Sequence, residues 1–219
     1  MKYKFIDIGC GCNSVSSDDH FFGTKVKGLL VEPIEEYCKI LPQSDTVLVE
    51  CAAVGEYDGF KDLNTVIEGD IIEYIPYKLY SNQSKMSRYM KNHGIQHCGT
   101  SSLCDPDLIV HKNTTEPRLV KLITLNTLIK KYKITEVDQI KIDVEGYEAI
   151  VLSQLIELMD SEKLKVNERI IFEYVKEFGN NEELDRLKDE ICSKFGFSAS
   201  HIISNWDSDI VMVKQWNPH

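Results

Sequence analysis

No run in the 219-residue sequence approaches the ~18 consecutive apolar residues of a membrane helix, and the opening, Met1-Lys-Tyr-Lys-Phe-Ile-Asp-Ile-Gly9, turns acidic and glycine-bearing too early for a signal peptide. A cytoplasmic protein without a membrane partner is the expectation. Positive charge is short as well. Twenty-five Lys and Arg face 35 Asp and Glu, for a formal charge of −10, so a broad grip on a phosphate backbone would work against the protein's own field and nucleic acid is disfavoured as a partner. The seven cysteines are odd in number and lack framework spacing. In a chain able to build a core, reduced thiols are the default and a disulfide scaffold is not expected. Internal repeats and low-complexity segments are absent.

What is present reads as an ordinary globular composition, 42% hydrophobic and 27% charged. The length suits one α/β domain better than two small ones. Tyr3 to Ile8 is a short apolar run stopped by Gly9 and Gly11, the pattern of a buried strand. Gly28–Glu32 is a second, followed by helically spaced Ile34, Tyr37, Cys38 and Leu41. Thr46–Val54 is a third, closing on Gly55, and residues 58–67 add a further strand. Residues 68–118 are the least regular stretch and too poor in apolar residues for a core of their own. Leu119–Thr124 (strand), Leu125–Lys131 (helix), Gln139–Val144 (strand), an amphipathic helix marked by Ile150, Leu152, Leu155, Ile156 and Met159, and the strand Arg169–Glu173 then follow. Asn180 with Glu183 suggests a capping box for a helix whose stripe is Leu184, Leu187, Ile191 and Phe195, with Gly196 just past its end. Phe197–Ile203 and Asp209–Lys214 form a hairpin at a sheet edge. Alternating strands and helices predict a mostly parallel sheet with helices on both faces and ligands beyond the carboxyl ends of its strands.

Three groups of residues carry chemistry. Asp7-Ile-Gly-Cys-Gly-Cys-Asn-Ser14 places Gly9 and Gly11 where the first strand becomes a turn, so backbone amides can approach a ligand closely. Glu32 ends the second strand, where a carboxylate accepts hydrogen bonds from two ribose hydroxyls. A nicotinamide enzyme would share this pair, but Ser14 stands where the dinucleotide pattern has its third glycine. Finally, Ile140-Lys-Ile-Asp-Val-Glu-Gly-Tyr-Glu148 gathers Lys141, Asp143, Glu145 and Glu148 at the end of a central strand. Alternation puts Lys141, Asp143 and Glu145 on one side of that strand if it persists so far. Burying these charges for structure alone costs several kcal/mol per uncompensated ion, so the cluster points to a site.

These residues resemble the FkbM-type methyltransferases, which use S-adenosylmethionine to methylate hydroxyl oxygens. The similarity runs from Phe5 to about Val213, with a break over 68–98. It rests most on Lys141-Ile-Asp-Val-Glu-Gly-Tyr-Glu148 with Val151-Leu152, on Ile123–Leu128, on Val137-Asp138 and on Ile170–Glu173. Weaker agreement comes from Phe5–Gly9, Val31–Pro33, Ala52–Gly55 and Gly99–Leu103. The resemblance implies a class I, Rossmann-like methyltransferase domain over 1–219: a seven-stranded sheet ending in the antiparallel hairpin. In it Asp7 and Gly9 lie near the methionine part of S-adenosylmethionine, Glu32 on the ribose, and Ala53 and Val54 beside the adenine, with Gly11 and Asn13 of the glycine loop also counted as cofactor-binding. Gly11, Asn13 and Asn126 depart from the family's usual Asn, Gly and Asp.

For transfer to oxygen, Asp143 is the expected base or hydroxyl-orienting group, Lys141 neutralises the neighbourhood, and Glu145 contacts the substrate. The resemblance makes that substrate a small-molecule hydroxyl acceptor, a sugar or glycan. A related catechol-type group makes Asp143 and Glu173 candidate Mg²⁺ ligands. A cofactor-binding scaffold without turnover and a nicotinamide oxidoreductase are the alternatives. His93, His97, Cys98, Cys104 and His111 fit no trusted zinc spacing and read as part of a polar lid, with His93 or His97 an alternative base; Cys10 and Cys12 read as small turn residues, and Trp206 and Trp216 as edge packing. An insert at about 68–104, or a neighbouring subunit in a homo-oligomer, is expected to cover the acceptor.

Overall fold

A computed structural model describes residues 1–11, 26–39, 41, 43–66, 115–174, 181–203 and 208–215. The insert at 68–104, Asn13, Cys12, the histidine and cysteine cluster of 93–111, Asn180, Trp206 and Trp216 lie outside the described residues.

β1 (Lys2–Ile8) lies inside the main sheet between two parallel neighbours, β2 (Gly28–Glu32) on one side and β7 (Glu136–Ile142) on the other. With β3 (Val47–Cys51), β8 (Lys165–Glu173), β9 (Phe197–Ile203) and β10 (Ser208–Lys214), the sheet runs β3-β2-β1-β7-β8-β10-β9. β10 is antiparallel to both β8 and β9. The seven-stranded, mostly parallel sheet with a terminal hairpin is thus as expected. Strand order reverses between β1 and β7, the point where such sheets open a crevice for ligands.

Alternation sets the two faces. Ile6, Ile8, Leu29, Val31, Ile140, Ile142, Ile170, Phe172, Ile210 and Met212 share one core with three helices. These are α2 (Leu125–Lys131), α3 (Glu148–Asp160) and α4 (Asn181–Phe195), the last burying Leu184, Leu187 and Ile191 and ending at Gly196 with φ +66°. Phe5, Leu30, Val47, Cys10 and Leu41 make a smaller core on the other face. In α3 the buried stripe is Val151, Leu152, Leu155, Ile156, Leu158 and Met159. Ile150, counted in the stripe from sequence, is 37% exposed, one residue too early to face the sheet. No helix among the described residues is long and apolar enough to cross a membrane.

The run Thr46–Val54 is two strands rather than one. Ala52 N–H donates to Glu50 O at 3.2 Å, a tight bend that diverts the chain from β3 into β4 (Ala53–Val54) of a second sheet, β4-β6-β5. Its other strands, β5 (Gly59–Val66) and β6 (Thr115–Ile123), pair from Gly59 with Leu122 to Val66 with Thr115, so β6 starts inside the stretch read as irregular. Leu63, Val120 and Leu122 of this sheet pack with Ala53 and with Ile34 and Tyr37, which belong to or adjoin α1 (Glu35–Cys38). The small sheet therefore stands beside the carboxyl ends of β2 and β3. β8 also starts earlier than expected, at Lys165.

One pair of cysteines corrects the expectation of reduced thiols. Cys38 and Cys51 are bonded, with Cα atoms 6.0 Å apart. The register that sets Cys51 opposite Glu32, and the fold-back of α1 after β2, bring them together. Spacing in the sequence carries no trace of either.

Two buried acids hold the frame. Asp138 accepts hydrogen bonds from Lys4 and Asn167 at 3.2 and 3.0 Å and pairs with Lys2 at 2.8 Å, joining β1, β7 and β8 away from the carboxyl ends. Glu50, only 3% exposed, takes hydrogen bonds from Lys121 (2.7 Å), Lys131 and Tyr132 (2.7 Å). It thereby ties β3 to β6 and to α2. Burial raises its pKa, but the two ammoniums and the phenol outweigh this and bring it to about 2. A depressed carboxylate stabilises the fold above its unfolded value near 4.5, and that contribution is lost as pH falls through about 2. Glu50→Gln is expected to cost roughly 1–3 kcal/mol at pH 7, measured by urea unfolding, and the gap to wild type to shrink as pH falls below 5.

Candidate functional site

The site forms where β1 and β7 end side by side. Gly9 has φ +77°, and a Cβ there would sit 1.7 Å from the backbone oxygen of Asp143, so only glycine fits. Asp143 N–H donates to Ile8 O at 2.9 Å, locking the two strand ends together. Asp7, fully buried, lies beside Lys141 in the β1–β7 register.

β7 stops at Ile142, so Asp143 and Glu145 do not lie on the strand as alternation suggested. They belong to a turn in which Glu145 has φ +52° and Gly146 φ +98°. Glu148, the first residue of α3, holds this turn by accepting the N–H groups of Val144 (2.9 Å) and Gly146 (3.0 Å). Of the four charged residues grouped from sequence, Glu148 is thus a positioning group, an acid at a helix N-terminus. The turn nonetheless returns Glu145 to the site. Carboxylate oxygens of Asp143, Glu145 and Glu173 all lie within 4.8 Å of one another.

Lys141 Nζ donates to Asp143 Oδ2 at 2.6 Å. Burial pulls this ammonium's pKa down, but the charges of Asp143, Asp7 and Asp209 and the hydrogen bond to Asp143 more than offset it, so the group stays above the ordinary lysine value. Lys141 is therefore a fixed positive centre among acids from three parts of the chain.

On the β2 side Glu32, 4% exposed, accepts Gly11 N–H at 2.8 Å and Ile34 N–H at 2.9 Å. One carboxylate thus positions both the glycine turn, where Gly11 has φ +59°, and the turn after Pro33. Ala53 and Val54 are buried next door in β4, Ala53 in the same cluster as Ile34. Burial drives the Glu32 pKa up, the Ile34 and Gly11 amides draw it back, and Asp143 and Asp7 raise it again, to about 7. Glu148 likewise rises to about 7, mainly through burial. Both acids favour the fold below about 4.5 and lose that contribution as pH rises through about 7.

Sequence reading missed a neighbouring trio. Lys61 donates to the Tyr147 hydroxyl and, at 3.0 Å, to Glu56, while the Tyr147 hydroxyl donates to Glu56 at 3.1 Å. Tyr147 also packs on the cluster of Ile34 and Ala53. Tyr147 stood in the quoted motif, but nothing in sequence links it to partners more than 80 residues away.

A sheet reversing between β1 and β7, a glycine turn after β1, an acid closing β2 and a terminal antiparallel hairpin define a class I methyltransferase fold. The methyltransferase FkbM domain model matches residues 11–199, and the chain belongs to that family. It is similar to a methyltransferase FkbM from Methylobacillus flagellatus KT, with 12% identity and a TM-score of 0.52 over 97% of this chain and 44% of that one. An S-adenosylhomocysteine-bound methyltransferase from Podospora anserina, PaMTH1, has 10% identity and a TM-score of 0.43 over 97% and 72%. The chain thus spans less than half the length of the Methylobacillus protein, and at 12% identity the likeness to that protein is one of fold. No curated protein is matched.

A carboxylate accepts hydroxyl hydrogen bonds more strongly than a protonated carboxyl, so if Glu32 holds the ribose as expected from the sequence, affinity for S-adenosylhomocysteine is expected to rise between pH 6 and pH 8 as Glu32 loses its proton. Calorimetry at several pH values checks this, and the rise disappears in Glu32→Gln.

Proposed function

We propose that this protein is an S-adenosylmethionine-dependent O-methyltransferase acting on a hydroxyl of a sugar or another polyhydroxylated small molecule. The observation that carries the reading is the convergence of Asp143, Glu145 and Glu173 against the Gly9 turn, with Lys141 bonded to Asp143.

When bound, S-adenosylmethionine supplies a sulfonium methyl group for in-line displacement by an oxygen nucleophile. Asp7 and Gly9 frame the methionine end, with Gly11 and Asn13 in the loop that follows, where the chain departs from the family pattern. Glu32 accepts the ribose hydroxyls, and Ala53 and Val54 flank the base. Asp143 orients the acceptor hydroxyl and takes its proton through the oxygen that Lys141 does not engage. Lys141 keeps the collected negative charge from repelling an electron-rich acceptor. Glu145 and Glu173 accept hydrogen bonds from neighbouring hydroxyls, which suits a substrate carrying several of them. Holding donor and acceptor in line supplies most of the remaining rate gain by converting an encounter into a positioned reaction.

Calorimetry is expected to show binding of S-adenosylmethionine and S-adenosylhomocysteine and none of NAD; a chain that ignores the first two compounds is not this enzyme. In a screen of hydroxylated acceptors that follows S-adenosylhomocysteine release, Asp143→Asn is expected to lower turnover by about 100-fold or more, with cofactor affinity within a few fold of wild type.

The same three carboxylates favour a second version of the mechanism. Hard oxygen donors at this spacing suit Mg²⁺; Asp143, Glu145 and Glu173 would hold the ion, which would supply Lewis-acid polarisation of a bound oxygen. Glu145 supplies a third ligand beyond the pair Asp143 and Glu173 expected from sequence. Loss of turnover on EDTA treatment, restored by Mg²⁺, is the outcome this version requires; full activity in EDTA leaves Asp143 acting with Lys141 alone.

A further inference from the structure

The Cys38–Cys51 pair lies on the two walls between which the nucleoside end of the cofactor is assigned. Cys51 is the last residue of β3, in register with Glu32 at the end of β2, and leads directly into Ala52, Ala53 and Val54. Cys38 closes α1, four residues after Ile34, whose amide is held by Glu32. The bond between them therefore joins the segment that carries Ile34 to the segment that carries Ala53, and those two residues share one apolar cluster.

Ile34 itself is fixed by the Glu32 hydrogen bond and by its apolar cluster, but the helix that follows it is slight. α1 is a single turn of four residues with no side-chain cap, too short to be stable by itself. Its outer face is held by the exposed Arg118–Glu36 ion pair, worth little in water. The pair is also unequal in access: Cys38 is 3% exposed, while Cys51 is exposed. A disulfide with one open end is the kind that thiols reach. Among the described residues the other two cysteines, Cys10 and Cys192, are free.

We infer that Cys38 and Cys51 form a reversible redox pair that sets cofactor affinity. This rests on the reading of the β2–β3 edge as the nucleoside site. In the bridged form α1 is tethered to β3, so less ordering remains to be done when the ligand binds. In reduction, a thiolate of a dithiol attacks Sγ of Cys51. The bond between the two protein sulfurs breaks, its electron pair leaves on Cys38, and Cys38 takes up a proton. The second thiolate of the reductant then attacks its own sulfur in the mixed disulfide and releases Cys51, which is protonated in turn. Two electrons and two protons reach the protein, and the dithiol leaves as a disulfide. Oxidation by a disulfide reagent reverses both steps.

The test compares protein reduced with dithiothreitol, with the reductant then removed, to protein oxidised with glutathione disulfide. Peptide mapping identifies the bonded pair, amide hydrogen exchange follows residues 34–39, and calorimetry measures S-adenosylhomocysteine affinity. The expected result is a Cys38–Cys51 peptide in the oxidised sample only, slower exchange over 34–39 in that sample, and affinity about five- to tenfold tighter than in the reduced one. In Cys51→Ser, which changes an exposed position and spares the buried Cys38, exchange and affinity stay at the reduced values under both treatments. A failure of the pair to form on oxidation overturns the inference, as does equal exchange and equal affinity in the two states; the cofactor reading survives both. If the ligand binds in neither state, the cofactor reading fails and the coupling fails with it.

Discussion

The close approach of Gly9 to the backbone of Asp143 is the constraint on which the site depends. A parallel pair of strands normally diverges into separate loops at its carboxyl end. Here Asp143 N–H bonds Ile8 O, and the missing side chain of Gly9 lets the Asp143 carbonyl occupy the place of a Cβ. The glycine turn and the acidic turn, assigned above to cofactor and acceptor, are thereby built as one piece. Glu32 extends it on one side by holding the amides of Gly11 and Ile34, and Glu148 on the other by holding those of Val144 and Gly146. Each carboxylate satisfies backbone donors of the turn beside it.

Electrostatics follow from the same geometry. Asp7, Asp143 and Asp209 converge on Lys141 from β1, the β7 turn and β10, so a single ammonium offsets charge contributed by three parts of the chain. Glu32 and Glu148 lie on the flanks, where burial is the larger influence and pushes both toward about 7. Glu50, an acid of the same type on the next strand, goes the other way to about 2 because two lysines and a tyrosine reach it. Partners, more than burial, separate Glu50 from Glu32 and Glu148. The net charge of −10 is accordingly more than a solvated surface, since several of its acids stand at strand ends.

Much of the frame was legible because it rests on local patterns. Short apolar runs closed by glycine, proline or charge gave β1, β2, β7 and the hairpin, and the stripe Leu184, Leu187, Ile191 ending at Gly196 gave α4. Misreadings arose where a local pattern met a nonlocal decision. Thr46–Val54 looks like one strand, yet the bend at Ala52 sends its end into another sheet. Asp143 and Glu145 extend the alternation of β7, yet pairing ceases at Ile142 and a left-handed residue takes over. Ile150 matches a helical stripe by one residue in the wrong direction, and the cysteines showed no framework although two of them meet.

The order of strands and helices, the glycine turn, the acid after β2 and the charged run 141–148 were determined by the sequence itself, since each depends on residues within a few positions of one another. Tertiary structure alone decided which of those charges share a site. Glu173 joins Asp143 and Glu145 because β8 pairs with β7, Asp209 reaches Lys141 because β10 pairs with β8, and Glu148 is turned from the acceptor to the turn's own amides. Tyr147 meets Lys61 and Glu56, and Cys38 meets Cys51, through pairings of strands and a fold-back that no local pattern encodes. The reason is physical: hydrophobic periodicity specifies which face of an element is buried, whereas the register between elements distant in sequence is fixed only when the whole core packs.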